Sequence, residues 1–538
     1  MGDTLSQADV LVVGAGIAGI VTALELAEAG LRVLVIDRDD ESALGGQARE
    51  SFGGMFFVDT PEQRRAGIRD SIELAHADWL AFAQFDADDR WPRAWARAYV
   101  EHCTQDVYRW LRGRGVRYFP VPHWVERGLY TPGNSLPRFH MVWGTGRALA
   151  DNLIAHLRRW VQTRVELRFG LRVERLLHDG GRISGCAGVR EHDGMPFELH
   201  APVVVIAAGG INGDLQRVRE NWHRDWGNAP TQLLNGSHRF ADGRLHDAAR
   251  AAGAVVTHLD RMWNYAAGVA HPQPRYPDHG LSLVPPRSAL WLDWRGQRLG
   301  PVPMISGYDT RELVTQVCRS GRDYSWQVLN RTIALRELGV SGAEFNPGFR
   351  DRKVLRVLRE LLFGSRWLVD TLCRDCPDIL VADTLPELVA RMNARAGGDA
   401  VEVDAVAAAI AAYDAQIARG PRFHNDDQLR RIAHLRQWRG DRLRTCRFQA
   451  IADPKAGPLI AIHARILSRK SLGGIRTDLH SRVLSALDQP IPGLYAVGEA
   501  AGFGGGGSHG LRALEGGFLG CCVLSARRAA QSISGSGA

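Results

Sequence analysis

The sequence predicts an α/β fold, with a parallel sheet assembled from both ends of the chain and a second domain inserted in the middle. The first observation is a buried apolar run at residues 10–13 that leads directly into the glycine pattern G-x-G-x-x-G at residues 14–19. The second is that apolar strands ending in glycine return at residues 201–214 and 490–507. Residues 257–453, which lie between them, lack such strand turns.

The first strand, helix and second strand predict a dinucleotide site. Ile17–Ala29 repeats apolar residues at helical spacing and lacks proline, so the free N–H groups of its first turn would face a pyrophosphate. Gly16 lets the backbone approach the phosphates, and Gly19 lets the helix pack closely on the strand. A second strand over residues 32–36 ends at Asp37, about 20 residues after the first glycine, where a carboxylate hydrogen-bonds ribose hydroxyls. These parts together are far more specific than the glycines alone.

A glycine-rich loop over residues 39–55 follows the second strand. Two Gly-Gly pairs separated by small polar residues suit a loop whose main chain contacts a ligand. The residues expected to continue the site past the phosphates are Gly45, Gly46, Gln47, Ser51, Gly53 and Gly54.

The rest of the first half predicts helices, a hairpin and another buried strand. Residues 61–111 and 147–160 have helical periodicity, and residues 165–189 form a hairpin around an Asp-Gly-Gly turn. The strand that begins at Ala201 ends in Ala-Gly-Gly, where glycine usually marks close approach of the backbone to a ligand.

The middle of the chain predicts an inserted α+β domain. Prolines cluster between residues 271 and 303, and helices are predicted over residues 354–372, 385–395 and 401–418. We expect a final helix over residues 508–531. The predicted division is a nucleotide-binding domain in two parts, residues 1–256 and 454–538, with the inserted domain at residues 257–453.

Composition excludes several other classes of protein. A chain of 538 residues is too long for one core, and 45% hydrophobic with 23% charged residues is typical of a globular enzyme. No apolar run reaches the ~18 residues of a membrane span, and residues 1–7 lack the features of a secretion signal, so a cytoplasmic location is expected. Among the eight cysteines, Cys373 and Cys376 form a C-x-x-C pair without a second pair or a His cluster at zinc spacing, so no metal is predicted. The net charge of +8 has no polybasic block, so no nucleic acid is predicted.

Together these motifs carry a family resemblance. The chain resembles the FAD-containing flavoproteins of the fumarate reductase, succinate dehydrogenase and 3-ketosteroid dehydrogenase superfamily. The segments that carry this resemblance are GAGIAG with Asp37, LGGQA…SFGG, VVVIAAGG and PIPGLYAVGEAAG…HG…GG. Within that superfamily the chain is similar to a bacterial subgroup of FAD-binding dehydrogenases related to 3-ketosteroid dehydrogenases. The similar segments are PRFHMVWGTG, DRMWNY, SRKSLGGIRTDL and GFGGGGSHGLRALEG. The resemblance covers nearly the whole chain. It implies a discontinuous Rossmann-type FAD-binding domain, an inserted cap domain, and the isoalloxazine at their interface.

The resemblance also implies the cofactor contacts. Val173 would reach the adenine through its backbone, Glu499 would reach ribityl or ribose hydroxyls, and the amides of Phe518 and Leu519 would face the flavin O2 edge. A helix N-terminus at that edge stabilises the negative charge of reduced flavin. No flavin-linkage motif is recognised, so the FAD is expected to be non-covalent. The residues expected to contact it are Gly14, Gly16, Ala18, Gly19, Asp37, Arg38, Gly45, Gly46, Gln47, Ser51, Gly53, Gly54, Val173, Ala208, Gly209, Gly210, Gly498, Glu499, Gly517, Phe518 and Leu519.

The implied chemistry is hydride transfer between flavin N5 and a C–H bond next to a carbonyl, while a protein group handles the neighbouring proton. We favour α,β-desaturation of a ketone, either 3-ketosteroid-like or alicyclic, with a separate electron acceptor. One alternative is enoate reduction, as in fumarate reductases. The other is a flavin electron-transfer protein without its own small substrate, against which a full-size cap domain argues. A homo-oligomer is compatible with the sequence.

His509, Tyr265 and Arg512 are the predicted catalytic residues. His509 stands near the position of a tyrosine in the 3-ketosteroid dehydrogenase motif, and an unperturbed imidazole exchanges protons near pH 6.5. We therefore expect His509 to contact the substrate carbonyl or its neighbouring proton. Arg512 lies one place before the arginine of the fumarate reductase motif. Tyr265 is equally compatible with a catalytic role and with that of an interface aromatic residue whose hydroxyl is hydrogen-bonded. Arg138 and His140 are compatible either with facing the flavin pocket or with anchoring a loop.

Overall fold

This computed structural model describes residues 8–535, and within that range the chain forms two large sheets. The first sheet draws strands from both ends of the chain, and its neighbours are parallel except for one antiparallel edge pair. Residues 1–7, on which the expected location rests, lie outside the described range. In spatial order the strands of this sheet are Arg482–Leu484, Pro490–Ala496, Val203–Ile206, Val10–Val13, Val33–Ile36 and Val165–Arg168.

The predicted strand–helix–strand unit at the N-terminus is confirmed. Val10–Val13 is buried along its whole length between two parallel neighbours, and the helix Ile17–Glu28 follows it. A Cβ on Gly19 would collide with the Gly14 carbonyl oxygen, which is why the sequence needs glycine where helix and strand meet. The same helix packs against Gly517–Ser534, so the two ends of the chain meet beside the first glycine turn.

The second sheet lies in the middle of the chain and is mostly antiparallel. Its 13-residue strand Leu459–Ser471 pairs with four others, although the predicted division assigns residues 454–538 to the nucleotide-binding domain. The domain boundaries themselves stay a prediction. The strands of this sheet are Leu234–Asn235, Met262–Ala270, Gly280–Val284, Leu290–Leu292, Tyr324–Asn330, Gly339–Val340, Ile379–Ala382 and Leu459–Ser471.

The smaller sheets include the predicted hairpin. Its turn joins Leu171–Asp179 to Arg182–Arg190 as expected. The preceding residues differ from the prediction, because Val165–Arg168 forms a separate strand at the edge of the first sheet. The remaining strands are Gly54–Phe56, Phe139–Met141, Pro196–His200, Val256–Thr257 and Gly474–Ile475.

The structure divides the helical stretch predicted over residues 61–111 into several helices and shifts others, and in two places a single glycine explains the difference. The helix expected over residues 354–372 is two helices, Val354–Phe363 and Arg366–Asp375, because Gly364 has a positive φ of 81° and a Cβ there would strike the Leu335 carbonyl oxygen. The helix expected from residue 508 begins at Gly517, since Gly516 is left-handed with a φ of 103°. The residues before it form turns instead.

The other helices cover both sheets. No helix within residues 8–535 is long and apolar enough to cross a membrane. Residues Cys103–Arg109 form a π-helical stretch, and short 3-10 turns lie at Glu41–Ala43, Arg224–Trp226 and Gly498–Ala500. The remaining α-helices are Gly46–Glu50, Pro61–Arg65, Ile72–Ala83, Arg90–His102, Trp110–Gly113, Thr145–Leu157, Leu215–Glu220, Arg244–Ala251, Thr310–Arg319, Arg331–Glu337, Pro347–Arg350, Leu385–Ala396, Val403–Ala418, Asp427–Leu435 and Arg439–Arg442.

Candidate functional site

One cavity collects most of the residues expected to contact a cofactor. Its lining combines the loops at the strand ends of the first sheet with side chains from two strands of the second sheet. Gly19, Gly498 and Gly517 are not part of this lining. The predicted residues that line it are Gly14, Gly16, Ala18, Asp37, Arg38, Gly45, Gly46, Gln47, Ser51, Gly53, Gly54, Val173, Ala208, Gly209, Gly210, Glu499, Phe518 and Leu519.

The part of the cavity beside Gly16 fits a pyrophosphate. A Cβ added at Gly16 would have no atom of the described chain within 4 Å, so this position opens onto free space. The helix that starts at Ile17 has no side-chain cap in the structure, which leaves the N–H groups of its first turn available to an anion. The second glycine loop closes this space, because the Gly45 N–H donates to the Ala15 carbonyl at 3.0 Å. Backbone donors and room for phosphate oxygens therefore occur together.

Asp37 and Arg38 line the cavity beyond the first glycine turn. The Asp37 carboxylate accepts hydrogen bonds from the backbone N–H groups of Ala15, at 2.6 Å, and Asp39, at 2.8 Å. Burial raises the pKa of Asp37, and these two donors oppose the shift. The Arg38 guanidinium pairs with Glu191 and with Asp242. Asp37 thus holds the glycine turn while it faces the cavity, and the charge of Arg38 is already balanced.

Behind the lining, the three remaining predicted glycines have packing roles. Gly19 meets the Gly14 carbonyl, and a Cβ on Gly498 would lie 2.8 Å from that of Ala18. A Cβ on Gly517 would strike the His509 ring. They shape the cavity wall without forming its surface.

Tyr265 and Glu515 form a hydrogen-bonded pair at the cavity surface. The Tyr265 hydroxyl donates to Glu515 Oε2 at 3.1 Å, and the Trp263 indole N–H donates to the same oxygen at 3.0 Å. Burial raises the pKa of Tyr265 well above its usual value, and the Glu515 charge adds to this shift. The phenol therefore stays protonated unless its proton can pass to Glu515.

Like its neighbour Arg469, Lys470 is a cation that lines this cavity. It lies opposite Trp263 in the antiparallel pairing of two strands of the second sheet. Its Nζ is 4.3 Å from the ring centroid of Phe518 and 5.8 Å from that of Tyr265. Burial lowers the pKa of Lys470 to about 8, while the Glu515 charge opposes the shift. The cavity thus combines an ammonium group, a phenol and a carboxylate close together.

Sequence reasoning missed Lys470 and Glu515. Both stand inside the motifs that carry the family resemblance, SRKSLGGIRTDL and GLRALEG. The available signal was a lysine just before a Leu-Gly-Gly turn and a carboxylate just before the Gly-Gly that opens the last helix.

The structure places His509 away from the cavity surface, although the sequence predicts a substrate contact there. Its ring is fully buried outside the cavity lining and stacks on Trp79, with 5.1 Å between ring centroids. Neither ring nitrogen has a hydrogen-bond partner among residues 8–535. Burial lowers the pKa of His509 to about 3, so the imidazole is neutral at working pH. The His509 ring packs against Phe503 and Phe518, and both of these rings line the cavity.

Arg512, Arg138 and His140 also lie outside the lining. Arg512 forms an ion pair with Asp309 at 3.1 Å. Arg138 is buried against Asp70 and Asp78, and His140 Nε2 lies 2.7 Å from a threonine hydroxyl. Arg512 is thus held by an ion pair away from the cavity surface, and the contacts of Arg138 and His140 are those expected of loop anchors.

Known proteins resemble this chain in family, sequence and fold. A family model described as FAD binding domain matches residues 9–519. A KsdD-like steroid dehydrogenase of Mycobacterium tuberculosis is 45% identical over 98% of this chain and 96% of its own. A KsdD-like steroid dehydrogenase of Mycolicibacterium smegmatis is 44% identical over 96% of each chain.

The fold is also that of a solved ketosteroid dehydrogenase. The structure of 3-ketosteroid delta1-dehydrogenase from Sterolibacterium denitrificans superimposes with a TM-score of 0.69 at 19% identity, covering 98% of this chain and 100% of the other. At that identity the likeness shows a shared fold. The mixed α/β architecture predicted from the sequence is confirmed.

Proposed function

We propose that this chain, which belongs to the FAD-binding domain family, is an FAD-dependent dehydrogenase that introduces a carbon–carbon double bond next to the carbonyl of a ketone. The observation that carries this proposal is that one cavity joins the glycine turns of the dinucleotide site to Tyr265, Lys470 and Glu515. The names of the 45% identical relatives support a 3-ketosteroid as the ketone, and an alicyclic ketone fits the same chemistry.

The cavity residues hold and tune the cofactor. FAD bound here supplies the acceptor for the hydride that leaves the substrate. The first turn of the helix Ile17–Glu28 would bind its pyrophosphate, and the first turn of Gly517–Ser534 would stabilise negative charge at the flavin end. The binding is non-covalent in this proposal, because the sequence contains no recognised flavin-linkage motif.

Tyr265 and Glu515 would remove the proton next to the carbonyl. The carbon-bound proton passes to the Tyr265 oxygen while the phenolic proton passes to Glu515 Oε2, across the 3.1 Å hydrogen bond. Glu515 is needed because burial keeps Tyr265 protonated on its own. The carboxylate therefore makes a weakly acidic phenol an effective proton acceptor.

Lys470 would polarise the carbonyl. As the proton leaves, negative charge develops on the substrate oxygen, and an ammonium group in a dry cavity stabilises that charge more strongly than water does. Lys470 lines the cavity beside Tyr265 and its ammonium form persists to about pH 8.

The alternatives receive less support. An enoate reductase of the fumarate type would use the arginine predicted at Arg512, which pairs with Asp309 outside the lining. A pure electron-transfer protein has no use for three ionisable side chains that converge on a cavity. The proposed reaction also requires an external electron acceptor that reoxidises the flavin.

The test of this function is anaerobic flavin spectroscopy on the purified holoprotein. We expect 4-androstene-3,17-dione or a cyclohexanone to bleach the bound FAD, and fumarate to leave chemically reduced FAD unchanged. Fumarate-driven reoxidation without bleaching by any ketone would instead establish the enoate reductase.

The lowered pKa of Lys470 predicts how the reaction rate depends on pH. Because its pKa is lowered to about 8, the ammonium group is present below that pH and is lost as the pH rises through it. We expect the rate of ketone-driven FAD reduction to fall above about pH 8. Lys470→Met should lower the rate on the order of 100-fold at pH 7 and remove that alkaline limb.

The matched control is Lys455→Met, because Lys455 is an exposed lysine of the same chain. Its pH profile should match the parental one. An alkaline limb that survives in Lys470→Met would show that another group titrates.

A further inference from the structure

One helix of the middle segment presents its apolar face outward. Val354–Phe363 buries Val357, which is 3% exposed, against the protein. The opposite face carries Leu355, 83% exposed, together with exposed Leu358, Leu362 and Phe363. A surface helix normally places such residues against the core, and contiguous exposed apolar side chains mark an interaction surface.

Cations flank these apolar side chains. Arg359 projects from the outward face, and Arg366 opens the next helix, which exposes Trp367. Within the described chain neither arginine forms an ion pair, whereas Glu360 is paired with Arg356 at 2.8 Å. The surface is therefore apolar and positively charged at the same time.

This patch adjoins the wall of the cavity. The short helix Pro347–Arg350 precedes it and contacts it. In that short helix the Phe349 ring lies 5.5 Å from the ring of Phe52, and Phe52 lines the cavity. An occupant of the patch would thus sit near the cofactor cavity.

We propose that the helix Val354–Phe363 docks this protein on an anionic lipid surface. A basic helix with leucine and phenylalanine on one face lies in the plane of a membrane interface, where the apolar side chains enter the acyl boundary and the cations meet lipid phosphates. A second copy of the chain fits less well, because a two-fold interface through this helix would gather the arginines of both copies, which lack ion pairs in the described chain, in one apolar contact. This inference does not depend on the proposed reaction.

The test is co-sedimentation of the full-length holoprotein with vesicles. We expect binding to vesicles that contain phosphatidylglycerol to exceed binding to pure phosphatidylcholine at least ~10-fold. Leu355→Glu should reduce it to the phosphatidylcholine level, because a charge replaces an apolar anchor. Arg359→Gln should weaken it on the order of fivefold, and added salt should mimic that loss.

Leu487→Glu is the matched control, because Leu487 is also 83% exposed and lies in the turn after Arg482–Leu484. It should bind vesicles like the parent. Equal binding by Leu355→Glu, or no binding by the parent, would overturn the proposal. So would a dimer in sedimentation velocity that Leu355→Glu dissociates while no vesicle binding occurs.

Discussion

Replacing Tyr265 with phenylalanine is expected to slow ketone-driven FAD reduction at least ~100-fold, the lower end of general acid–base contributions. The variant keeps the ring but removes the hydroxyl that donates to Glu515 at 3.1 Å. FAD content and the oxidised flavin spectrum should be unchanged, because the dinucleotide contacts lie elsewhere in the cavity. Anaerobic stopped-flow spectroscopy measures the rate directly. Glu515→Gln should produce a similar loss, since the amide can still accept the hydrogen bond but cannot take the proton.

Tyr495→Phe is the matched control for Tyr265→Phe. The Tyr495 hydroxyl also makes a hydrogen bond, to Ser532 at 3.3 Å, but it lies outside the cavity lining, so its loss should leave the rate unchanged. His509→Leu distinguishes the two candidates for proton transfer. A loss of ~100-fold in His509→Leu together with a normal rate in Tyr265→Phe would return that role to His509.

Gly16→Val is expected to weaken FAD binding strongly while the chain remains folded. Gly16 has an ordinary extended conformation, with φ −71° and ψ −179°, so valine fits the backbone. No atom of residues 8–535 lies within 4 Å of the added Cβ, and the side chain would instead fill the space assigned to the pyrophosphate. We expect FAD affinity to fall at least ~100-fold, because the phosphate would lose its backbone donors. Fluorescence titration of the apoprotein measures it, and circular dichroism checks the fold.

Gly398→Val provides the control for this substitution. Gly398 also has no described atom within 4 Å of an added Cβ and no positive φ, but it is exposed outside the cavity. FAD affinity should equal that of the parent. A Gly16→Val protein that binds FAD normally would contradict the placement of the pyrophosphate.

Contacts between residues that are close in sequence could be predicted, whereas contacts between distant parts of the chain could not. The turn after Val10–Val13 and the acid at Asp37 were predictable, because a strand, a glycine turn and a helix interact within some 30 residues. The helix break at Gly364 was missed, because the helical apolar pattern continues across it and the reason for the break is a contact with Leu335.

The sequence by itself therefore determined the α/β class and the glycine turns that form one part of the cofactor cavity. Only the tertiary structure decided which ionisable side chains share the other part. Tyr265 meets Glu515 across 250 positions of sequence, and Lys470 arrives there because its strand pairs with that of Trp263. His509 was assigned to the substrate from its motif, yet it stacks on Trp79 from a distant helix. The motif specifies backbone conformation locally, whereas the direction in which a side chain is buried depends on packing partners from distant parts of the chain.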